Sequence, residues 1–137
     1  MTNALTIGAV AKLAAVNIET MRYYERRGLV PRPPRSASNY RQYPEETVRR
    51  VRFIKRAQQL GFTLKEIKEL LALRITPRAK SSQVRERVKR KIEAVDAKIK
   101  ALEAMRSSLS ALEGSCSGRG SISTCSILRS LDGDDAR

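Results

Sequence analysis

The chain has 137 residues, a length that suits one compact domain with an extension or a small domain completed by dimerisation. It carries 28 basic and 14 acidic residues, a formal net charge of +14, and this excess favours a polyanionic partner. Residues 1–60 hold 12 of the basic and 4 of the acidic residues, so the N-terminal part is the better candidate for a nucleic-acid face. Histidine is absent, and neither a glycine-rich phosphate loop nor a paired-carboxylate motif occurs. We therefore expect a binding protein rather than an enzyme.

The hydropathy pattern argues against membrane insertion and export. No apolar run approaches the roughly 20 residues that a membrane-spanning helix needs. The apolar residues 4–16 have no basic residue before them and are interrupted by Lys12, unlike a secretory signal. We therefore expect a cytoplasmic protein without membrane association, in a compartment that keeps thiols reduced. There the only two cysteines, Cys116 and Cys125, indicate metal or redox chemistry rather than a structural disulfide.

The first 28 residues have the pattern of a helix-turn-helix. Thr6 precedes a short helix with one apolar stripe, the pattern breaks at Ala15, and Asn17 is a good N-cap for a second helix over residues 18–27. Gly28 stands where a left-handed residue ends a helix. In this motif the second helix enters the major groove, where it would present Thr20, Arg22, Tyr23 and Arg26 or Arg27. An ordinary helical hairpin with a solvated basic face is the alternative.

Residues 29–43 contain three prolines and no helical period, and they predict a short hairpin or wing. Leu29 and Val30 form one candidate strand, and residues 40–43 form the other. Arginines alternate here with Tyr40 and Tyr43, a mixture that suits contact with DNA phosphates. The arginines concerned are Arg32, Arg35 and Arg41. A proline-rich surface loop is the alternative.

Two further helices are predicted over residues 44–60 and 64–73, and both are expected to pack under the helix-turn-helix. Pro44 suits the first turn of the former, Gly61 ends it, and Thr63 with Glu66 forms a capping box for the latter. The basic residues of the former helix are expected to face water, and they are Arg49, Arg50, Arg52, Lys55 and Arg56.

A long helix with a narrow apolar seam follows a polar link at residues 74–82. The seam residues recur at intervals of three and four and are Val84, Val88, Ile92, Val95, Ile99, Leu102, Met105, Leu109 and Leu112. A helix of about 28 residues measures roughly 42 Å. Because no other segment is long enough to cover it, we expect a second copy to pair with it, parallel or antiparallel. A helix folded back on the N-terminal domain is the alternative. A two-fold dimer predicts two-fold-related DNA half-sites.

The two cysteines stand nine positions apart in the Ser- and Gly-rich segment CSGRGSISTC, which can turn back at Gly118 and Gly120. Thiolates are soft ligands suited to Hg(II), Cu(I), Ag(I) or Zn(II). Two sulfurs complete a linear site for Hg(II) or Cu(I), whereas a closed zinc site takes four ligands, so zinc is disfavoured. Two unremarkable thiols, or a redox pair, are the alternatives.

The order of these parts resembles the MerR family of bacterial transcription regulators. The resemblance rests on TIGAVAKLAAVNIETMRYYERRGLV, NYRQY and VRFIKRAQQLGFTLKEIKELL, and it continues to about residue 133. It implies a mainly α fold, with a winged helix-turn-helix over residues 1–75, a coiled-coil dimerisation helix over 76–113 and a metal-sensing loop and tail over 114–137. It also implies a homodimer that distorts a promoter with an overlong spacer, so that RNA polymerase can align with both promoter elements.

The resemblance further implies roles for single residues. The DNA-binding candidates are Asn17, Thr20, Arg22, Tyr23 and Tyr24 on or beside the recognition helix, and Tyr40 and Arg41 in the wing. Cys116 and Cys125 would bind the effector. The segment CSGRGSISTCSILRSLDG is similar to the mercury-responsive branch in its cysteine step and in the residues after Cys125. Mercury(II) is therefore the expected effector, with repression in its absence and activation in its presence.

The sequence departs from that branch at the start of the long helix. Mercury regulators have a third cysteine there, supplied by the other subunit, whereas this chain has RAKSSQV, with Ala79 or Ser81 at the matching place. The copper(I), silver(I) and gold(I) sensors of the family have serine at this position and use two loop thiolates, although their cysteine step is usually one residue shorter. They are the alternative. A metal-independent DNA-binding protein is a further one.

Overall fold

A computed structural model describes residues 4–133, which are mainly α-helical, as expected. In this part of the chain the helices are α1 (Ile7–Leu13), α2 (Ile18–Arg26), α3 (Glu46–Gln59), α4 (Leu64–Arg74), α5 (Ser81–Ser115) and α6 (Ser126–Leu131). A single 3-10 turn at Ile122–Thr124 precedes α6. The chain forms two compact units, one up to Arg87 and the other from Val88 onwards.

Helices α1 and α2 begin at the predicted caps. The Thr6 hydroxyl accepts a hydrogen bond from the Ala9 backbone N–H at 3.1 Å. The Asn17 side-chain oxygen accepts one from the Thr20 N–H at 2.7 Å and one from the Thr20 hydroxyl at 2.8 Å. The bonds from the Ala9 and Thr20 N–H groups satisfy backbone donors that the first helical turn leaves unpaired. The sequence therefore located both helix starts correctly.

The turn between α1 and α2 closes in a left-handed conformation at Ala15, whose φ is 57°. The Val16 N–H donates to the Ala11 carbonyl at 2.9 Å, and the Ala15 N–H donates to the Lys12 carbonyl at 3.2 Å. This pair of bonds is the Schellman arrangement, which usually places glycine at the left-handed position. The predicted break at Ala15 is confirmed, and it occurs at an alanine rather than a glycine.

The wing is shorter than its predicted strands. Within residues 4–133 the β-pairing consists of isolated antiparallel bridges, Arg35 with Arg41 and Leu5 with Tyr43. The strand predicted at Leu29 and Val30 is wrong, since neither residue is in a bridge and both are buried in the core. Leu5 takes the place expected of that strand because its N–H and carbonyl both bond to Tyr43 at 2.8 Å.

Helices α3 and α4 complete the core of the first unit. The capping box of α4 forms as predicted, with Thr63 and Glu66 each bonding the backbone of the other. The side chains that are almost completely buried come from all four helices and the wing: Val10, Met21, Tyr24, Leu29, Val30, Tyr43, Val51, Ile54 and Ile67. This core fixes α2 on a support made by α3 and α4.

The basic side of α3 is not simply a solvated face. Arg50 donates to the Leu29 carbonyl at 2.5 Å, Arg52 to the Leu13 carbonyl at 2.8 Å and Lys55 to the Ala15 carbonyl at 2.5 Å. Arg52 is exposed, as predicted, whereas Arg50 and Lys55 are half-buried, and the backbone partners of all three were not predicted. Their acceptors are the carbonyl of the last residue of α1 and carbonyls just after the ends of α1 and α2, which the sequence pattern of α3 alone cannot locate.

Helix α5 contains 35 residues, about 52 Å at the usual rise, and exceeds the predicted 28 because polar residues extend it beyond the apolar seam at both ends. None of its residues is buried. The seam residues from Val84 to Leu109 are 42–64% exposed. None of the described helices combines the length and the apolar character needed to cross a membrane.

Candidate nucleic-acid interface and metal centre

The exposed side of α2 carries three of the predicted DNA-binding residues. Arg22 is 57% exposed and lies 4.0 Å from the Glu19 carboxylate, a distance too long for a strong ion pair. Tyr23 is 39% exposed, and the Arg27 guanidinium lies 6.0 Å from the centre of its ring. Thr20 is half-buried beside the N-cap. This surface combines cationic, aromatic and hydroxyl groups within three turns of one helix.

A basic cleft lies between α2 and the wing, with a volume of about 500 Å³. Five arginines line it, together with a single acidic residue, Glu25. The arginines are Arg22, Arg26, Arg32, Arg35 and Arg41. Guanidinium groups bind phosphate oxygens through paired N–H donors, so a cleft of this composition suits a phosphate backbone. Arg26, Arg32 and Arg35 were not among the candidate residues implied by family resemblance. The helix-turn-helix pattern had indicated Arg26 or Arg27, and the arginine pattern of the wing had indicated Arg32 and Arg35.

Glu25 and Tyr43 connect α2 to the base of the wing. The Tyr43 hydroxyl donates to the Glu25 carboxylate at 2.8 Å, and the Arg32 Nε lies 3.8 Å from the same carboxylate, which is only 3% exposed. Burial, and secondarily the hydrogen bond to Glu25, raise the pKa of Tyr43 to about 12. Sequence reasoning missed this contact because nothing in the local pattern distinguishes Glu25 from an exposed helix acid.

The two predicted wing residues differ in their surroundings. Tyr40 is 68% exposed next to the tight turn at residues 36–39. Arg41 is half-buried, and its guanidinium donates to the Pro33 carbonyl at 2.7 Å, which holds the two sides of the wing together. Arg41 therefore has a structural partner and also lines the cleft.

Tyr24 lies on α2, as the resemblance implied, but its side chain points into the core. It is 2% exposed, and its hydroxyl donates to the Gln58 side chain on α3 at 2.6 Å. The burial also raises the pKa of Tyr24. Its side chain has no surface to offer DNA, so a direct contact by Tyr24 is a wrong assignment. Asn17 is exposed, but its side-chain oxygen is occupied by the cap of α2.

The second unit brings the two cysteines together at the end of α5. Both are free thiols and half-buried. The Gly118 N–H lies 3.4 Å from the Cys116 sulfur. Backbone N–H groups of Leu128 and Ile127 lower the pKa of Cys125, and a hydrogen bond with the Cys116 side chain adds to this effect. These contacts favour the thiolate form of Cys125, the form that binds metals.

A pair of serines fastens the base of the cysteine loop. The Ser126 hydroxyl donates to the Ser115 carbonyl at 2.9 Å, and the two serine hydroxyls lie 3.3 Å apart. Because each serine is the immediate neighbour of a cysteine, this contact, which we call the serine clasp, brings the two thiols side by side. The repeated Ser-Cys and Cys-Ser pairs in the sequence were a signal for the clasp that sequence reasoning did not use.

The donor set of this loop fits a two-coordinate soft ion. In the part of the chain that the structure describes, no three His, Cys, Asp or Glu side chains come together as a metal site. Among residues 4–133, the soft ligands of this loop are therefore the two thiols of Cys116 and Cys125. A linear ion such as Hg(II) or Cu(I) matches two sulfurs, whereas a four-coordinate zinc site does not.

Comparison with known sequences decides the family. Residues 5–73 match the family described as MerR HTH family regulatory protein, and residues 48–112 match the one described as MerR, DNA binding. The chain belongs to the MerR family. Members of this family are transcription regulators that bind DNA through the helix-turn-helix domain, not enzymes, which agrees with the basic cleft and with the expectation from the sequence.

Several MerR-family relatives are similar over nearly the whole chain. The mercuric resistance operon regulatory protein of Serratia marcescens is 41% identical over 130 residues, 95% of this chain and 89% of that protein. A lead(II)-bound regulator from Ralstonia metallidurans has a TM-score of 0.84 at 38% identity, over 93% of this chain and 98% of the other. The mercury(II)-bound MerR of Bacillus megaterium has a TM-score of 0.72 at 36% identity, over 91% and 96% of the two chains.

Proposed function

We propose that this MerR-family protein is a cytoplasmic, homodimeric, mercury(II)-responsive regulator of a mercury-resistance operon. The observation that carries the proposal is the pair of free, adjacent thiols, Cys116 and Cys125, held in a loop at the end of α5. The similarity to mercuric resistance operon regulators over most of the chain supports mercury as the metal. The protein represses without metal and activates with it, by distorting promoter DNA so that RNA polymerase can align with both promoter elements.

At the DNA, each residue group has a distinct role in the proposal. Arg22 and Tyr23 on α2, with Thr20, contact base edges or adjacent phosphates in the major groove. The arginines of the cleft, together with Tyr40 at the wing, bind the phosphate backbone, which sets the register without reading sequence. Two copies joined along the α5 seam bind two-fold-related half-sites.

At the metal loop, the chain's own residues prepare the thiols. The N–H groups of Leu128 and Ile127 favour the Cys125 thiolate, and the serine clasp keeps Cys116 next to it. A bound soft metal ion would link the two sulfurs. Such a link restrains the segment from Ser115 to Ser126 and therefore the end of α5.

A regulator that responds to copper(I), silver(I) or gold(I) is the second candidate. It is favoured by one observation: within residues 4–133 no third thiolate, histidine or carboxylate joins the two cysteines. The place where mercury regulators carry a third cysteine is occupied here by Ala79 or Ser81, and Ser81 begins α5.

The test is a titration of the reduced protein with Hg(II), Cu(I) and Zn(II), followed by thiolate-to-metal absorption and by transcription from its own promoter. We expect Hg(II) to bind tightly and activate transcription, and Cys116→Ser or Cys125→Ser to abolish both effects. Ser123→Ala is the matched control within the loop. Activation by Cu(I) or Ag(I) alone would support the second candidate, and metal-induced switching in the cysteine variants would exclude both.

A further inference from the structure

Three cations of α3 bind the backbone of the helix-turn-helix on both sides of α2. Arg52 donates to the Leu13 carbonyl at 2.8 Å and Lys55 to the Ala15 carbonyl at 2.5 Å, so both bonds lie in the turn that enters α2. Arg50 donates to the Leu29 carbonyl at 2.5 Å, just after α2 ends. Helix α3 therefore holds the backbone both before and after α2, the helix that we place in the major groove.

Two of the three acceptors lie where a cationic donor is favourable. Leu13 is the last residue of α1, where carbonyls lack helical partners and the helix dipole favours positive charge. Ala15 has a left-handed backbone, which is unfavourable for a residue with a Cβ. A hydrogen bond from an ammonium group to its carbonyl is charge-assisted and stabilises this conformation.

We infer that Arg50, Arg52 and Lys55 are positioning residues for DNA recognition, which set the placement of α2 through the backbone instead of binding DNA phosphates. The inference rests on the proposed docking of α2 in the major groove. It separates the positive charge of the first unit into two groups. The arginines of the cleft line an open space of about 500 Å³, whereas each of these α3 cations donates a hydrogen bond to a carbonyl of the protein itself.

Burial agrees with this division for Arg50. Its side chain is half-buried, and this desolvation lowers its pKa from the usual value. A phosphate-binding arginine gains from remaining accessible to solvent and ligand. The Arg50 Nε–H instead donates to the Leu29 carbonyl, 21 residues earlier in the sequence.

The experiment compares Lys55→Met and Arg52→Met with Arg56→Met in the full-length protein. Arg56 is the matched control because it lies on the same helix and is exposed, and its side chain makes no hydrogen bond or ion pair among the described residues. Affinity for a duplex containing the protein's own promoter is measured by fluorescence anisotropy at several salt concentrations. Circular dichroism establishes that each variant is folded at the assay temperature.

For a positioning role we expect Lys55→Met and Arg52→Met to weaken DNA binding about 5- to 10-fold relative to Arg56→Met. The slope of log affinity against log salt should remain that of the wild type. We also expect faster hydrogen exchange at the Val16 and Thr20 amides. Lys55→Arg, which can still donate to the Ala15 carbonyl, should restore both properties.

Two results would overturn the inference. If Lys55→Met or Arg52→Met reduced the magnitude of the slope of log affinity against log salt concentration by about 0.9, the side chain removed would be a direct phosphate contact. Affinities equal to that of Arg56→Met would mean that the bonds affect stability alone. If one variant is unfolded, the other decides, since the two bonds reach the same turn from different residues. Failure of the wild type to bind its promoter would instead refute the proposed DNA docking itself.

Discussion

Ala15 occupies the left-handed position that a glycine, Gly28, occupies after α2. Its φ of 57° resembles the 74° of Gly28, and both end a helix in the same hydrogen-bond arrangement. An L-residue with a Cβ is destabilised by about 1–2 kcal/mol in the left-handed conformation. Part of this cost is offset because such a residue has a lower conformational entropy than glycine in the unfolded chain. The turn that leads into α2 is therefore conformationally unfavourable at one residue.

We predict that Ala15→Gly raises the free energy of unfolding by about 0.5–1 kcal/mol, measured by urea denaturation. Gly28→Ala is the reciprocal variant and should lower it by at least about 1 kcal/mol. A Cβ at Gly28 would lie 3.2 Å from the Lys68 Nζ, which is the mobile end of a long side chain and can move aside. Destabilisation by Ala15→Gly, as at an ordinary helical position, would contradict this account.

Tyr43 gives the first unit a pH dependence at high pH. Its folded pKa of about 12 exceeds the model-compound value of 10, so its contribution to stability is complete below pH 10 and is lost as the pH rises to 12. The loss is on the order of 2 kcal/mol. Ionisation would place a phenolate beside the buried Glu25 carboxylate.

Tyr43→Phe should therefore be less stable than the wild type at neutral pH, by about 1 kcal/mol for the lost hydrogen bond. The difference should shrink or change sign between pH 10 and 12, because the variant has no group to ionise at this position. Denaturation curves of both proteins across this range provide the measurement. A constant difference would mean that the pKa of Tyr43 is the same in the folded and the unfolded chain.

At the scale of elements, the loop after α5 is closed by hydrogen bonds between its two ends. The serine clasp joins the residues that flank Cys116 and Cys125, so it restricts the thiols to one neighbourhood before any metal arrives. Holding ligands in place lowers the entropy lost on binding, and the gain appears as affinity.

We predict that Ser126→Ala weakens metal binding about 5-fold, corresponding to one hydrogen bond of about 1 kcal/mol. Competition titration of the reduced protein at fixed pH measures the effect. Ser123→Ala is the control, because its hydroxyl bonds to Ser121 within the loop, at 2.8 Å, and does not join the loop ends. Equal affinities in the two variants would show that the clasp plays no part in holding the thiols.

At the scale of the whole molecule, the α5 seam is a long apolar strip that the rest of the described chain leaves exposed. Its members from Val84 to Leu109 are 42–64% exposed, at the intervals of three and four typical of helix pairing. An apolar strip of this length on a chain of 137 residues marks an interaction surface. A second copy of α5 has the same length and the same seam.

We predict that Ile99→Arg converts a dimer into a monomer in sedimentation velocity experiments, because it places a charge in the centre of the seam. Binding to a two-half-site promoter should weaken at least 100-fold, since the half-sites are then bound independently. Ala97→Arg introduces the same side chain on the opposite side of the helix and should remain dimeric. If both variants remained dimeric, the contact between the subunits would lie outside the seam.

The amino-acid sequence by itself determined where α1, α2 and α4 begin. Thr6, Asn17 and Thr63 supply side-chain oxygens to N–H groups three residues away, and these bonds need no distant partner. Helical periodicity likewise predicted most of the buried residues of α1, α3 and α4 and the seam of α5, whereas Leu13 and Leu60, expected on the buried sides, are exposed. The motifs of the family also predicted the helix-turn-helix and the cysteine loop.

Only the tertiary structure decided which polar and aromatic side chains remain available for function. Tyr24 is buried against α3, and Lys55 reaches a carbonyl 40 residues earlier in the chain. Glu25 meets Tyr43 across 18 residues. Arginine, lysine and tyrosine have the same pattern in sequence whether they face DNA or a carbonyl of their own chain. Packing of α2, α3 and the wing selects between these partners, because it determines which unpaired acceptor lies within hydrogen-bond distance.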